Sequence, residues 1–262
     1  MSQHQEKATI IRVRQLSDTH FRMTVHAPSI AAASRPGQFV MIRVGVGREP
    51  LLRRPFSIHQ TSGNGHLQIY FRKIGKGTAL LAQLKPEEEI DLFGPLGHGF
   101  DISAVKPACL VGGGLGIAPL LFLAKEICRI KKDVSRDIIV LGGRNRDELE
   151  PLVRDFEQFG LKIYCTTDNG SYGEKGFVTQ ILQPEKIPDG ALLYSCGPEP
   201  MLERVHELCE NNGWDCQVSV ESVMACGMGA CLGCNVPARD GRYLHVCIDG
   251  PVFNARELLW NS

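Results

Sequence analysis

Residues 225–234 read ACGMGACLGC, and no other stretch limits the possible folds of this chain as much. Three thiols sit within nine positions, separated by glycine and alanine, so there is too little side-chain bulk here to build a core. Something that binds sulfur has to organise the segment. One more cysteine follows, giving Cys226-x4-Cys231-x2-Cys234-x12-Cys247. A C-x4-C-x2-C run followed by a distant cysteine is the ligand spacing of plant-type [2Fe–2S] centres. Small residues between the ligands let the backbone take unusual angles and bring N–H groups close to sulfur. Four thiolates also carry four negative charges, which a metal centre compensates in an otherwise neutral segment. Zinc accepts four cysteines as well and stays open as the alternative, although its structural sites usually pair two short C-x2-C elements. Disulfide frameworks belong to short secreted domains.

The remaining cysteines (Cys109, Cys128, Cys165, Cys196, Cys209 and Cys216) are dispersed and read as small core residues. At 262 residues the chain has room for two ordinary domains and an appendage. Its 29 basic and 29 acidic side chains balance, which argues against nucleic acid as the main partner. No run approaches the roughly 18 apolar residues of a membrane span. The start, MSQHQEKATIIRV, lacks the apolar core of a signal peptide. These features predict a cytoplasmic protein with reduced thiols.

Three regions follow one another. Over residues 1–100, short segments rich in β-branched and aromatic residues (TIIRVRQL, HFRMTVHA, QFVMIRV, LQIYFRK) are punctuated by turn formers, which predicts a small antiparallel barrel or sandwich of about six strands. GTALLAQL (77–84) interrupts them with a helical pattern. Over 101–213, apolar strands alternate with amphipathic helices, including expected helices near 147–159 and 176–182. That alternation predicts a Rossmann-like parallel sheet covered on both faces. Residues 214–262 hold the cysteines and are too few for a core of their own, which points to a metal staple.

In the middle region LVGGGLGIAPLL (110–121) joins a strand to a helix through glycines, either as a tight turn or as a seat for a pyrophosphate at a helix N-terminus. Gly114 and Gly116 are its candidate contacts. YSCGPEPML (194–202) ends another strand with Cys196-Gly197-Pro198 and opens a helix. GGRNRDEL and TTDNGSYG end the strands between, so several glycine-bearing strand ends converge on one edge of the sheet. Arg144 and Arg146 in the first of these are candidates for a nucleotide 2′-phosphate.

In the first region LLRRPFSI (51–58) is by itself a strand with an exposed basic pair. In the functional reading Arg54 meets a diphosphate while Phe56 and Ser57 meet a ring system. YFRKIGKGTALL (70–81) adds a second arginine and a Gly-Thr helix start. The R-P-x-S strand, G-x-G-T helix, GGGxGIAP loop and CGPxPML loop, in that order, resemble the ferredoxin-NADP reductase superfamily. With FGPLGHGF, ACGMGACLGC and VCIDGPVFNARELLW added, nearly the whole chain resembles the electron-transfer subunits of type B dihydroorotate dehydrogenases. Many superfamily members carry tyrosine where this chain has Phe56, which keeps the ring and loses the hydroxyl.

The resemblance implies a mixed β and α/β protein: an antiparallel FAD-binding barrel, an NAD domain and a small C-terminal [2Fe–2S] domain. It implies that Arg54, Pro55, Phe56, Ser57, Phe71, Arg72, Lys73, Gly77 and Thr78 hold FAD. Gly114, Gly116, Cys196, Gly197 and Pro198 would face NAD, and Cys226, Cys231, Cys234 and Cys247 would hold the cluster. The implied partner is an FMN-containing catalytic subunit, two copies of each chain forming a heterotetramer, in pyrimidine (UMP) biosynthesis. Related subunits serve sulfide dehydrogenases, sulfite reductases, hydrogenases and ferredoxin–NADP transhydrogenases. A zinc-stabilised regulatory unit on the same fold is the reading from another class. Glu221 is a candidate functional carboxylate with a solvated role as its alternative, and the eight histidines, scattered without i, i+4 pairing, suggest no metal site.

Overall fold

A computed structural model describes residues 3–45 and 49–260. Six strands close into a barrel: β1 (His4–Gln15), β2 (His20–His26), β3 (Phe39–Arg43), β4 (Arg54–Thr61), β5 (His66–Arg72) and β6 (Glu89–Leu96). Their order is β1-β2-β5-β4-β3-β6, every neighbouring pair antiparallel. Closure leaves no unpaired edge. The period of two sorts the side chains: Leu67, Ile69 and Phe71 of β5 join Met23, Ile58 and Leu92 in the barrel core. On the other face of β5, Tyr70 packs with the next region. Helix α1 (Pro28–Ala33) was not legible in the sequence; it begins with proline in its first turn, where no N–H is missed. Helix α2 (Lys76–Gln83) follows β5.

Beyond the barrel, β7 (Ala108–Gly113), β8 (Ile138–Gly143), β9 (Lys162–Thr167), β10 (Glu174–Lys175), β11 (Leu192–Cys196) and β12 (Asp215–Ser219) run parallel. Helices α3 (Ala118–Ile130), α4 (Arg146–Glu157) and α5 (Glu199–Asn212) cover them. Every residue of β7 is buried, as a central parallel strand requires. Each large apolar side chain buried this way stabilises the fold by about 1.5–3 kcal/mol. The expected helix near 176–182 is instead a single 3-10 turn, Val178–Gln180. Gly176, at φ +128°, breaks the helical backbone on one side and Pro184 ends it on the other. The Gln180 side chain caps this turn by accepting from the Phe177 N–H.

The tail has, as expected, no core of its own, and its strands were not legible in the sequence. It contains a short hairpin, β13 (Asn235–Pro237) and β14 (Tyr243–His245), and a last strand, β15 (Val252–Asn254), which pairs antiparallel with β12. The sheet therefore has seven strands, in the order β10-β9-β8-β7-β11-β12-β15. Instead of depending on a metal alone, the tail shares a core. Cys234, Val246, Cys247, Phe253 and Leu258 pack in one cluster with Phe39, Met41 and Leu96 of the barrel and Val205 and Val218 of the sheet region.

Candidate functional site

The two arginines of the R-R-P-F-S strand diverge. Arg53 is committed to β6, donating to the Asp91 carboxylate at 2.6 Å and to its carbonyl at 3.0 Å. Arg54, whose Nη1 donates to the Leu52 carbonyl at 2.6 Å, lies over the first turn of α2: a methyl on Gly77 would sit 3.6 Å from Arg54 Cγ and Nε. A guanidinium beside a helix N-terminus suits a diphosphate. Arg54, Pro55, Phe56 and Ser57 are all half-buried, the exposure of a groove wall, before the strand dives inward at Ile58 and His59. The other expected contacts divide. Thr78 uses its hydroxyl to accept from the Ile74 and Gly75 N–H groups at 2.9 and 3.1 Å, capping α2 from within. Phe71 points into the barrel core at 2% exposure, edge-on to Phe56, so only its backbone remains for a ligand. Arg72 is half-buried with its Nε unpartnered among the described residues, and Lys73 is exposed beside the Phe21 ring.

In the parallel sheet, strand order reverses between β7 and β11, the switch point at which open α/β sheets bind ligands. Gly112 of β7 and Cys196 of β11 are register partners there. Both candidate loops leave from this point. Gly114 has φ +55°, is exposed, and a side chain on it would meet open space, so its backbone faces outward. Gly116 serves closeness, since a Cβ there would overlap the Cys196 carbonyl and the Gly197 N–H. Pro198 is exposed at the start of α5. Cys196 is buried, and burial, with Glu221 nearby, pushes its thiol up to about 12. Glu221 is exposed over much of its surface, yet burial around the carboxyl raises its pKa. Arg146 is already engaged: its Nε donates to the Ser171 carbonyl and its guanidinium lies 5.2 Å from the Tyr172 ring centre.

The cysteine segment forms a loop lined with N–H groups. Met228 and Cys231 donate to Cys226 Sγ at 3.4 Å, Gly229 donates to Cys247 Sγ at 3.2 Å, and Cys247 donates to Cys234 Sγ at 3.5 Å. Burial opposes ionisation of Cys226, but the donors outweigh it and bring the thiol down to about 7. Burial and the adjacent Cys234 push the Cys247 thiol up to about 12. Gly227 and Gly229 take positive φ of 72° and 79°, the local bending that glycine allows, and Leu232 takes φ 56° despite its side chain. Among the described residues no three His, Cys, Asp or Glu side chains are already grouped to hold a metal ion. What the loop offers is a sulfur-only donor set with N–H groups aimed at it, the chemistry that suits an iron–sulfur centre. The loop rests on the barrel, where a Cβ on Gly227 would sit 2.6 Å from Met41 Cγ and 3.3 Å from Leu96.

A third meeting place was invisible in the sequence. Arg22 of β2 and Asp155 of α4, 133 residues apart, form a bidentate ion pair between barrel and sheet region. His59 is fully buried beside it, its Nδ1 2.7 Å from the Ala118 carbonyl and its Nε2 3.9 Å from Asp155. No local spacing could have marked these residues, because their partners lie in another region of the chain.

Comparison with known proteins agrees with this layout. An oxidoreductase FAD-binding domain model matches residues 7–100, an oxidoreductase NAD-binding domain model matches 110–207, and the iron-sulfur cluster binding domain of dihydroorotate dehydrogenase B matches 221–259. The chain thus carries FAD-, NAD- and iron–sulfur-binding domains of an oxidoreductase type. The dihydroorotate dehydrogenase B (NAD(+)) electron transfer subunit of Geobacillus thermodenitrificans is 39% identical over 97% of this chain and 98% of that one. The subunit of the same name from Fusobacterium nucleatum is 37% identical with the same coverage. A solved NADH-dependent reduced ferredoxin-NADP oxidoreductase superposes with a TM-score of 0.86 at 30% identity, covering 97% of this chain and 90% of that one. The ferredoxin reductase of carbazole 1,9a-dioxygenase shares the fold, with a TM-score of 0.68 at 20% identity. At this identity and coverage, the chain belongs to the family of dihydroorotate dehydrogenase B electron transfer subunits.

Proposed function

We propose that this chain is the electron-transfer subunit of a dihydroorotate dehydrogenase. It would link an FMN-containing catalytic partner to NAD+ in the net reaction dihydroorotate + NAD+ → orotate + NADH + H+. A flavin exchanges hydride with a nicotinamide and single electrons with an iron–sulfur centre, which is why all three groups belong in one relay.

The observation that carries this reading is the position of the barrel. It touches the cysteine loop through Met41 and Leu96, and it touches the nucleotide turn through β4, whose His59 meets the first residue of α3. Pro55 of the R-P-F-S strand is the register partner of Met41, which supports a reading in which this strand connects the two sites. In this reading Arg54 and the α2 N-terminus hold the FAD diphosphate, with Pro55, Phe56, Ser57 and the backbone of 71–73 beside the ring system. Gly114, Gly116 and the 196–198 loop receive NAD, and Cys226, Cys231, Cys234 and Cys247 bind the [2Fe–2S] cluster.

The partner docks on the face around Cys231. There Val223, Met228, Leu232 and Ile248 stay 88%, 52%, 57% and 39% exposed, an apolar rim around the most accessible thiol. Two copies of each chain make the complex. No described helix is long and apolar enough to cross a membrane, and all ten cysteines are free, which supports a cytoplasmic setting. A second reading, a reductase subunit serving a ferredoxin-linked partner, is favoured by the 0.86 superposition on the ferredoxin-NADP oxidoreductase.

The purified chain, kept anaerobic, should be yellow-brown, contain iron, acid-labile sulfide and FAD, and bleach on adding NADH. Mixed with a dihydroorotate-oxidising subunit it should reduce NAD+ when dihydroorotate is added. A colourless zinc protein that stays colourless after reconstitution would overturn the assignment. Flavin and cluster without dihydroorotate-driven NADH formation would shift it to the second reading.

A further inference from the structure

The barrel and the nucleotide region meet across a buried polar seam that the binding motifs do not account for. Its centre is His59, 0% exposed and two residues beyond Ser57 on β4. The Ala118 carbonyl can only accept, so His59 Nδ1 must carry the proton and donate across the 2.7 Å contact. Ala118 is the first residue of α3, directly after the Gly-Gly-Gly-Leu-Gly-Ile turn. Burial, reinforced by the Arg22 guanidinium, holds the ring's pKa down at about 3. A neutral ring with its proton on Nδ1 leaves Nε2 as an acceptor, and among the described residues no hydrogen-bond donor reaches it.

An apolar side chain would fill this space without stranding a polar atom. The histidine is therefore costly as packing, and what it adds is one directed hydrogen bond. That bond joins the strand proposed to carry the flavin to the turn proposed to carry the nicotinamide nucleotide. Two further ties hold the same pair of surfaces. Lys125 of α3 donates to the Thr61 carbonyl of β4 at 2.5 Å, and Arg22 pairs with Asp155 of α4. Tyr70 closes the seam, its ring centre 5.9 Å from that of His59 and 5.6 Å from the stacked His20.

We infer that His59 is a positioning residue for hydride transfer, fixing the register of the glycine turn of α3 against the flavin strand β4 through its Nδ1–H bond to Ala118. The inference rests on the proposed FAD and NAD sites. It requires no proton transfer by the histidine. A displacement of about 1 Å between reacting rings lowers a rate by roughly a hundredfold, so one bond that sets the register has kinetic weight beyond its contribution to stability.

The test compares three variants of the full-length chain. An asparagine amide can place its N–H where Nδ1–H lies, a glutamine amide reaches too far, and leucine offers no donor. His59→Asn should therefore behave as wild type, while His59→Gln and His59→Leu should reduce bound flavin with saturating NADH at least about tenfold more slowly. Their isotope effect with 4-deuterated NADH should rise, and their flavin and iron contents should match wild type. Independently of turnover, hydrogen exchange of amides 114–122 should quicken in the glutamine and leucine variants and not in the asparagine variant. Should leucine fail to fold, the asparagine–glutamine contrast carries the test alone. Equal reduction rates and equal exchange in all folded variants would overturn the inference, as would an asparagine variant as impaired as the glutamine one. Failure of the wild type to be reduced by NADH would instead overturn the proposed function, and the exchange measurement would still report on the His59–Ala118 tie.

Discussion

The barrel meets both of its neighbours through apolar contact, Phe122 of α3 entering the barrel core, but the two seams differ in emphasis. Towards the cysteine loop the seam is apolar and close: Gly227 lies against Met41 and Leu96, and Phe39, Cys247 and Phe253 belong to one continuous core. Towards the nucleotide region it holds a bidentate ion pair, a buried histidine and a stacked His20–Tyr70 pair. Apolar contact is non-directional and tolerates small slides, whereas hydrogen bonds specify distance and angle. The difference matches the two transfers proposed for this chain. Single electrons cross between centres without a bond being made, but hydride passes only between atoms in near contact. A permissive seam suits the first and a specified seam suits the second.

Each seam can be broken separately. The largest effect should come from Cys231→Ser, which should abolish cluster-mediated transfer. It should leave FAD bound and NADH oxidation by an artificial acceptor intact, because the Gly227 contact with the barrel does not involve this thiol. Iron content and a two-acceptor assay check it. Gly227→Val should come next. It places a branched side chain at φ +72° against Met41, and strain plus overpacking should cost about 3 kcal/mol, read from the urea midpoint. Iron should be lost with stability.

On the polar side, Asp155→Asn leaves Arg22, with 14% of its side chain exposed, facing an uncharged partner. A loss of about 2 kcal/mol is expected in urea unfolding, with flavin reduction slowed as well. The smallest effect is a pH dependence. His59 stays neutral when folded down to about pH 3 but takes up a proton near 6.5 when unfolded. Below pH 6.5 the unfolded chain therefore binds a proton that the folded chain refuses, and stability falls with pH. The slope is up to about 1.4 kcal/mol per unit. Urea midpoints between pH 6.5 and 4.5 should fall less steeply in His59→Asn, and parallel slopes would remove this residue from the acid response. Because Arg22, Asp155 and Tyr70 face the ring in both proteins, the difference isolates the histidine.

What could be read from the sequence follows the range of the interactions. The cysteine spacing, the R-P-F-S strand and the glycine turns are local patterns, the first spanning residues 226–247 and the others shorter still. The alternation of strand and helix likewise foretold the parallel sheet. Strand β15 could not be read because it is only three residues long and gains its identity from pairing with β12. The helix expected near 176–182 failed for a local reason, confinement between Gly176 and Pro184. Thr78 lay inside a correctly read motif, yet its hydroxyl turned out to cap its own helix. His59 was passed over as one of eight scattered histidines, since Ala118 is 59 positions away and Asp155 further still.

The pairing of β15 with β12 also closes off an edge of the sheet. Without the tail, Gln217, Val218 and Ser219 would form the open edge of a parallel sheet, a row of unpaired N–H and C=O groups able to recruit another strand. Phe253 and Leu258, buried under that edge, also cover core residues that would otherwise meet water. The cysteine segment is thus spliced into the sheet at both ends, entering from β12 and returning through β15. A shortened chain that stops after β12 would lose its iron-binding loop and gain an adhesive edge, so it should aggregate before it could act as a plain flavin reductase.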